Sequence, residues 1–477
     1  MAAGVGPDGT GRTTELLLAL ARDGGRPLGA QIEDQLRAAI RSGALKPGAA
    51  VPSTRDLARQ LGVSRGLVVD AYAQLGAEGY LVVRQGARPR VAAAPGEEGG
   101  VDEPAPAPVP RYDFRPAMPD VSMFPRDAWL RCVRRALATM TDEDLGYGDP
   151  RGVPRLRAAL ADYLGRVRGV VSDPSRIVIT SGYMQSEGLV CRALAAAGAR
   201  RVAVERPGHP VQRAIVARAG LEPVPVDVDE QGLRVEDLDR AGADAVILTP
   251  AHQFPLGVPL SGERRTALLR WLRARDAIAV EDDYDAEYRY DRAAVGALQG
   301  LEPDRVVYAG SASKTLAPAL RIAWLAVPPR LLAAVAAEKQ LADRGTAHIE
   351  QHAFAEFLVA GELDRHLRRM RARYRARRDT LVAALADTLP EATVEGIAAG
   401  LHATVRLPAG HDEGAILAAA GRRRVALETM AEYDGDGPPT LLLGYGQIAE
   451  AAIRPGVAEV AAAARTAAAA PSSSSSS

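Results

Sequence analysis

The chain has 477 residues, more than one ordinary core holds, so two or more domains are expected. Lys and Arg together number 59, and so do Asp and Glu; the zero net charge excludes a uniformly basic or acidic polypeptide. A hydrophobic share of 47%, with no long unbroken apolar run and no signal-peptide pattern, excludes a membrane span and points to a globular cytoplasmic protein.

The first dense region covers residues 27–92, which hold most of a mild local surplus of Lys and Arg. Ile32, Leu36 and Ile40 recur at helical spacing, which predicts a helix over 27–43. Ser53, with Asp56 three residues on, reads as a capped start of a second helix. Gly62-Val63-Ser64 is a tight turn, and Ser64 caps a third helix with Leu67, Ala71 and Leu75 on one face. Two short helices joined by such a turn read as helix-turn-helix. The segments 80–84 and 88–91, flanking Gln85-Gly86-Ala87, predict a hairpin wing. Ser64 and Arg65 would begin the recognition helix, and Arg55 and Arg84 would meet phosphates of double-stranded DNA. A small helical docking domain with solvated arginines is the other reading of this pattern.

Residues 93–110 are rich in Pro, Gly and acid and read as an extended linker. Residues 111–465 alternate apolar β-rich runs with helical stretches. The runs are 176–180, 201–205, 245–250, 277–282, 305–310 and 322–328. They predict a mostly parallel sheet with helices on both faces, so the expected class is α/β. In such sheets ligands bind beyond the carboxyl ends of strands. Residues 466–477, ending in polyserine, read as a disordered tail. Cys132 and Cys191 lack a metal-type spacing and read as reduced, buried thiols, and no metal site is expected from them.

The polar residues at the strand ends form a pattern. Lys314, in Ser311-Ala312-Ser313-Lys314, supplies an amine able to form a Schiff base. Asp282 ends another run and suits a protonated ring nitrogen; Tyr284 suits a phenolate oxygen. Ser311, Ser313 and Arg321 suit a phosphate, as do the N–H groups of Tyr183 and Met184 where Gly182 opens a helix. His209 suits stacking on a ring. Together these are the needs of pyridoxal 5'-phosphate (PLP). The acidic run 281–287 also admits a magnesium site or a solvated loop.

The sequence from Pro47 to Arg65, then Ala71 to Leu81, resembles the winged helix of GntR-type regulators. Residues 112–455 resemble the aminotransferase-like domain of fold-type-I PLP proteins. They carry Asp113-Phe114-Arg115-Pro116, Gly146 to Gly152, Thr249 to Pro255 and Ser311 to Arg321. Together with the linker, the chain resembles the MocR-type regulators of the GntR superfamily. The resemblance implies that Arg55, Ser64, Arg65 and Arg84 lie at the DNA surface, and that the cofactor roles fall on the positions above. It also implies a homodimer in which Tyr147 reaches the phosphate of the partner subunit's cofactor.

Two departures from the pattern bear on function. His209 stands where the family usually has tyrosine. Leu442 stands where transaminases of this fold place the arginine that forks an amino-acid carboxylate. Arg422, Arg423 and Arg424 are near in sequence. The expected function is a promoter-binding regulator that senses PLP, or a PLP–amine adduct, through Lys314. Control of vitamin B6 metabolism, as in the PdxR branch, fits a site without that arginine. The alternative is a working aminotransferase with an accessory DNA-binding domain; the lysine, aspartate and tyrosine are present, so half-reactions are chemically accessible.

Overall fold

The computed structural model describes residues 17–22, 25–84, 87–92, 109–290, 295–396 and 398–468. Chain contacts divide it into two units, Met1–Pro106 and Ala107–Ser477. Most of the expected linker, residues 93–108, and residues 469–477 of the expected tail lie outside the described residues.

In the first unit, helices α1 (Leu28–Arg41), α2 (Thr54–Leu61) and α3 (Arg65–Ala77) precede strands β1 (Leu81–Val82) and β2 (Arg90–Val91). The strands pair antiparallel, Leu81 opposite Val91, as a short wing whose Gln85 and Gly86 lie outside the described residues. The Ser53 hydroxyl accepts the Asp56 N–H at 3.2 Å and donates to the Asp56 carboxylate at 2.6 Å, the reciprocal cap read from the sequence. Gly62 ends α2 at φ +63°, a left-handed position that glycine fills without strain. Ser64 then caps α3, accepting the Leu67 N–H at 3.3 Å. The face α3 buries is centred on Val68, Ala71, Tyr72 and Leu75, with Leu67 only half-buried. The expected face holds at Ala71 and Leu75 and is widened by Val68 and Tyr72, whose hydroxyl donates to the Pro52 carbonyl at 2.9 Å.

The second unit is α/β. Its main sheet has eight strands: β3 (Ile177–Thr180), β4 (Arg201–Arg206), β5 (Glu222–Asp229), β6 (Gly232–Leu233), β7 (Ala245–Leu248), β8 (Ile278–Asp283), β9 (Val306–Ser311) and β10 (Ala323–Ala326). Their order is β3-β10-β9-β8-β7-β4-β5-β6. The five strands β9, β8, β7, β4 and β5 run parallel, while β10 is antiparallel to both of its neighbours. Side chains alternate across the sheet: Val202, Val204 and Ile247 enter one apolar cluster, and Ala203, Val246 and Leu248 the other. Helix α4 (Tyr183–Ala196) covers the first face with Leu189 and Val190; α6 (Gly262–Ala274) covers the second with Leu268 and Leu272. Burial on both faces explains why these strands read as unbroken apolar runs.

Between them lie α5 (Pro210–Arg218) and the short α7 (Ala312–Thr315). Long α8 (Glu362–Thr388) and α9 (Glu450–Ala468) flank a four-stranded antiparallel sheet, in the order β11 (Thr393–Glu395), β12 (His402–Arg406), β14 (Thr440–Gly444), β13 (Glu428–Thr429). Alanine-rich α9 extends three residues into the stretch expected to be tail. Both cysteines are free and buried. Among the described residues no helix is long and apolar enough to cross a membrane.

Candidate cofactor site and nucleic-acid surface

Strands β8 and β9 run side by side, with Ala309 opposite Asp282, so the segments that follow them open into the same space. There a cavity of about 350 Å³ is lined by Lys314, Asp282, Tyr284, Ser311, Ser313 and Arg321. Tyr183, Met184 and His209 join them from α4 and the start of α5. Nine of the eleven positions expected to hold a cofactor thus line one cavity.

Burial lowers the pKa of the Lys314 ammonium, while Asp282 and Asp285 pull it back up. Its Nζ has no hydrogen-bond partner among the described residues. A larger neutral fraction is what a nucleophilic amine needs. Asp282 shows the complementary condition. Burial first, then Glu187, Asp283 and Asp285, push its carboxyl well above the usual range; only Lys314 opposes them. Its side chain has no ion-pair partner among the described residues, so a cation placed there would relieve the cost.

Gly182 is the tenth position. It opens α4 at φ +145° without a side-chain cap, ahead of the first-turn amides of Tyr183 and Met184. A Cβ on Gly182 would lie 2.4 Å from Arg321 Nη2, so only glycine lets the guanidinium approach the helix end. Arg321 sits at a left-handed φ of +50°, just after the turn that follows Lys314. A guanidinium, two hydroxyls and free helix amides make an anion seat.

Tyr284 places its hydroxyl 3.0 Å from His252 Nδ1, which also lies 3.1 Å from the Asp285 carboxylate. His209 Nδ1 accepts the Val211 N–H at 3.2 Å and so caps α5. That bond leaves the ring proton on Nε2, and burial beside Lys314 lowers the imidazole pKa, so the ring is neutral. Its face lies 6.2 Å from Phe254 at 30°.

Tyr147 is the eleventh position and does not line the cavity. It is 82% exposed, with the Arg344 guanidinium 4.4 Å above its ring.

The acidic run splits up. Glu281 accepts the amides of Leu298 and Gln299, each at 2.9 Å. Asp283 accepts from Arg168 and from the Tyr308 hydroxyl, each at 2.7 Å, and Asp285 faces His252. Asp282, on the other face of the strand end, is the one carboxylate of the run that lines the cavity, while Glu281, Asp283 and Asp285 are held by separate partners.

Leu442 is fully buried among Met430, Tyr433, Phe254 and Leu256, with Glu428 directly opposite on β13. Arg422, Arg423 and Arg424 are exposed and none lines the cavity; Arg423 pairs with Glu459 at 2.8 Å. Nine further residues line the cavity, and sequence reasoning gave none of them a cofactor role; among them are Phe254, Gln212, Thr249, Glu428 and Tyr433. Phe254 had a signal, being one of five phenylalanines in a chain poor in aromatics. Glu428 and Tyr433 had none, because only the small sheet returns them to the cavity.

In the first unit Arg55, Ser64, Arg65 and Arg84 are all exposed. The three arginines have no ion-pair partner among the described residues. Arg65 is the first residue of α3, where a helix-turn-helix presents its recognition helix.

Residues 28–91 match the family model for bacterial regulatory proteins of the gntR family, and residues 122–411 match aminotransferase class I and II. The pyridoxine biosynthesis transcriptional regulator PdxR of Corynebacterium glutamicum is 33% identical, over 90% of this chain and 94% of its own. The probable rhizopine catabolism regulatory protein MocR of Rhizobium meliloti is 34% identical, over 92% and 94%. The chain belongs to the MocR-type regulators of the GntR superfamily. Among solved structures, Pyrococcus horikoshii kynurenine aminotransferase matches with a TM-score of 0.68 at 27% identity, covering 74% of this chain and 90% of that one.

This MocR-type regulator therefore joins a GntR-type DNA-binding domain to a fold-type-I aminotransferase domain, whose cofactor is PLP. Its residues fit that group. Asp282, half-buried and without an ion-pair partner among the described residues, lacks the cation that a pyridinium supplies, and the space that Gly182 leaves brings Arg321 to a helix end able to hold a phosphate.

Proposed function

We propose that Lys314 anchors PLP as a signal, and that occupancy of this cavity by PLP, alone or joined to an amine, sets the affinity of the N-terminal unit for promoter DNA. The observation that carries this reading is the Lys314 amine: half-buried, depressed in pKa, without a partner among the described residues and lining one cavity with Asp282 and Arg321. When bound, PLP supplies an aldehyde that an amine can join and a ring that withdraws electrons. Asp282 would hold the proton on the ring nitrogen, and Tyr284 would serve the phenolate oxygen. His209 would cover one ring face, while Ser311, Ser313, Arg321 and the amides of Tyr183 and Met184 would hold the phosphate.

Leu442 supports a sensor over a transaminase, because an apolar side chain packed on Met430 and Tyr433 gives a substrate carboxylate no partner. The similarity to a regulator of pyridoxine biosynthesis supports vitamin B6 metabolism as the controlled process. The regulator acts in the cytoplasm as a homodimer, with Tyr147 of each protomer serving the partner's cofactor. The change in promoter affinity cannot exceed the ligand's differential affinity for the two states.

Two measurements test this. PLP added to the purified protein should give a protein-bound absorbance band that Lys314→Ala lacks. Binding to a promoter fragment should differ between the PLP-loaded and PLP-free protein. Equal promoter affinity in both forms would remove the sensor reading.

A further inference from the structure

The charges of the cavity do not balance once the cofactor's partners are assigned. The lining carries two cations, Lys314 and Arg321, and three carboxylates, Glu205, Asp282 and Glu428. PLP would engage Lys314 through its aldehyde, Arg321 through its phosphate and Asp282 through its ring nitrogen. Glu205 and Glu428 are left over. Glu205 is committed to the fold: it accepts the Thr249 N–H at 3.0 Å and its hydroxyl at 2.6 Å.

Glu428 is different. It is half-buried on β13 and accepts a hydrogen bond from the Tyr433 hydroxyl. Arg115, which interacts with it electrostatically, is turned to Asp113, to which it donates at 2.9 and 2.5 Å. Across the strand pair stands Leu442, so the strand that could answer Glu428 with a cation presents an apolar side chain. Phe254 and Tyr433 meet edge to face at 5.1 Å beside it. A carboxylate next to aromatic faces favours an ammonium and repels a second carboxylate.

We propose that Glu428 and Tyr433 bind the distal ammonium of a short diamine whose other amine is directed toward the cofactor, so that diamines rather than α-amino acids are the co-ligands of PLP. This rests on the reading of the cavity as a PLP site and adds the class of amine. Glu428 supplies the charge, Tyr433 orients it, and Phe254 excludes water from the contact. An α-amino acid would have to seat its carboxylate against Glu428 and the Leu442 cluster, without a donor.

The test is calorimetric titration of the PLP-loaded protein with putrescine, butylamine and glutamate, with the protein-bound PLP band recorded first. Putrescine should bind about tenfold tighter than butylamine, and glutamate more weakly than either, as expected for one charge-assisted contact. Glu428→Gln should reduce the putrescine preference to near parity, and Tyr433→Phe should reduce it in part. The band reports that each variant folds and loads PLP; if Glu428→Gln fails to load, Tyr433→Phe carries the comparison. Equal binding of putrescine and butylamine, tighter binding of glutamate, or a preference unchanged in the variants overturns the diamine assignment while leaving the PLP site standing. A wild-type protein without the band overturns both.

Discussion

Glu187 lies one turn beyond Tyr183 in α4, fully buried, and neither carboxylate oxygen has a hydrogen-bond partner among the described residues. Burial alone pushes its carboxyl from 4.5 up to about 8. Between those values the folded protein holds a proton that the unfolded chain has released, so stability falls as pH rises through that window and levels off above it. Replacing Glu187 by the neutral isostere Gln should stabilise the protein near neutral pH, by on the order of 3 kcal/mol, and leave it unchanged at mildly acidic pH. Denaturant unfolding across the pH range checks this; equal slopes for both proteins would refute it. Gly182→Ala belongs to the same scale. The added methyl must displace the Arg321 guanidinium and hold φ +145°, so PLP half-saturation should rise at least about tenfold with the fold retained, read from the absorbance band. Lys314, Asp282, Tyr284 and Arg321 were legible in the sequence because each stands in a short motif where an apolar run stops. Glu428, Tyr433 and Glu187 were not. The first two depend on a distant sheet, and Glu187 sits in a helix whose pattern shows burial but not the loss of partners.

At the scale of elements, α3 begins with Arg65, the residue expected to read DNA, and owes its start to the Ser64 cap. Arg65→Ala should weaken promoter binding by about 1–3 kcal/mol if the side chain reaches a base edge, and leave the PLP band intact. Mobility shifts and absorbance on the same preparation check both parts; unchanged binding would move recognition away from the first turn of α3. Most parallel strands were legible, since burial on both faces writes itself as an apolar run. Strand β5 was missed because Pro223 and Pro225 interrupt it. Its position explains why they are tolerated. The Glu222 N–H donates to the Arg200 carbonyl at 2.7 Å, so the nitrogens at 223 and 225, one residue out of phase, face the opposite edge. There β6 pairs only with Val228 and Asp229, and no ladder bond is lost at either proline. The antiparallel sense of β10 was equally hidden, because a buried strand looks the same in either direction.

At the scale of the molecule, the same chain carries two units whose chemistries have no residue in common, and the family resemblance gave that pairing before any coordinates. The quaternary expectation rests on Tyr147. A tyrosine 82% exposed on one protomer and held under Arg344 is available to another copy. Tyr147→Phe should raise PLP half-saturation several-fold in the homodimer, as loss of one hydrogen bond to a charged group does, with protomer stability unchanged. Light scattering and PLP titration check this; a monomeric wild type that binds PLP normally would refute the shared site.

Arg55 and Arg84, expected at phosphates and without an ion-pair partner among the described residues, have a kinetic consequence. Each contact such an arginine makes with a DNA phosphate sets a condensed counterion free, and the grip weakens by about 0.9 log unit per contact for each tenfold rise in salt. Two such contacts per protomer are few. On random chromosomal sequence the protein would therefore dwell only briefly between encounters, and its residence at a promoter would depend on the bases that the start of α3 meets.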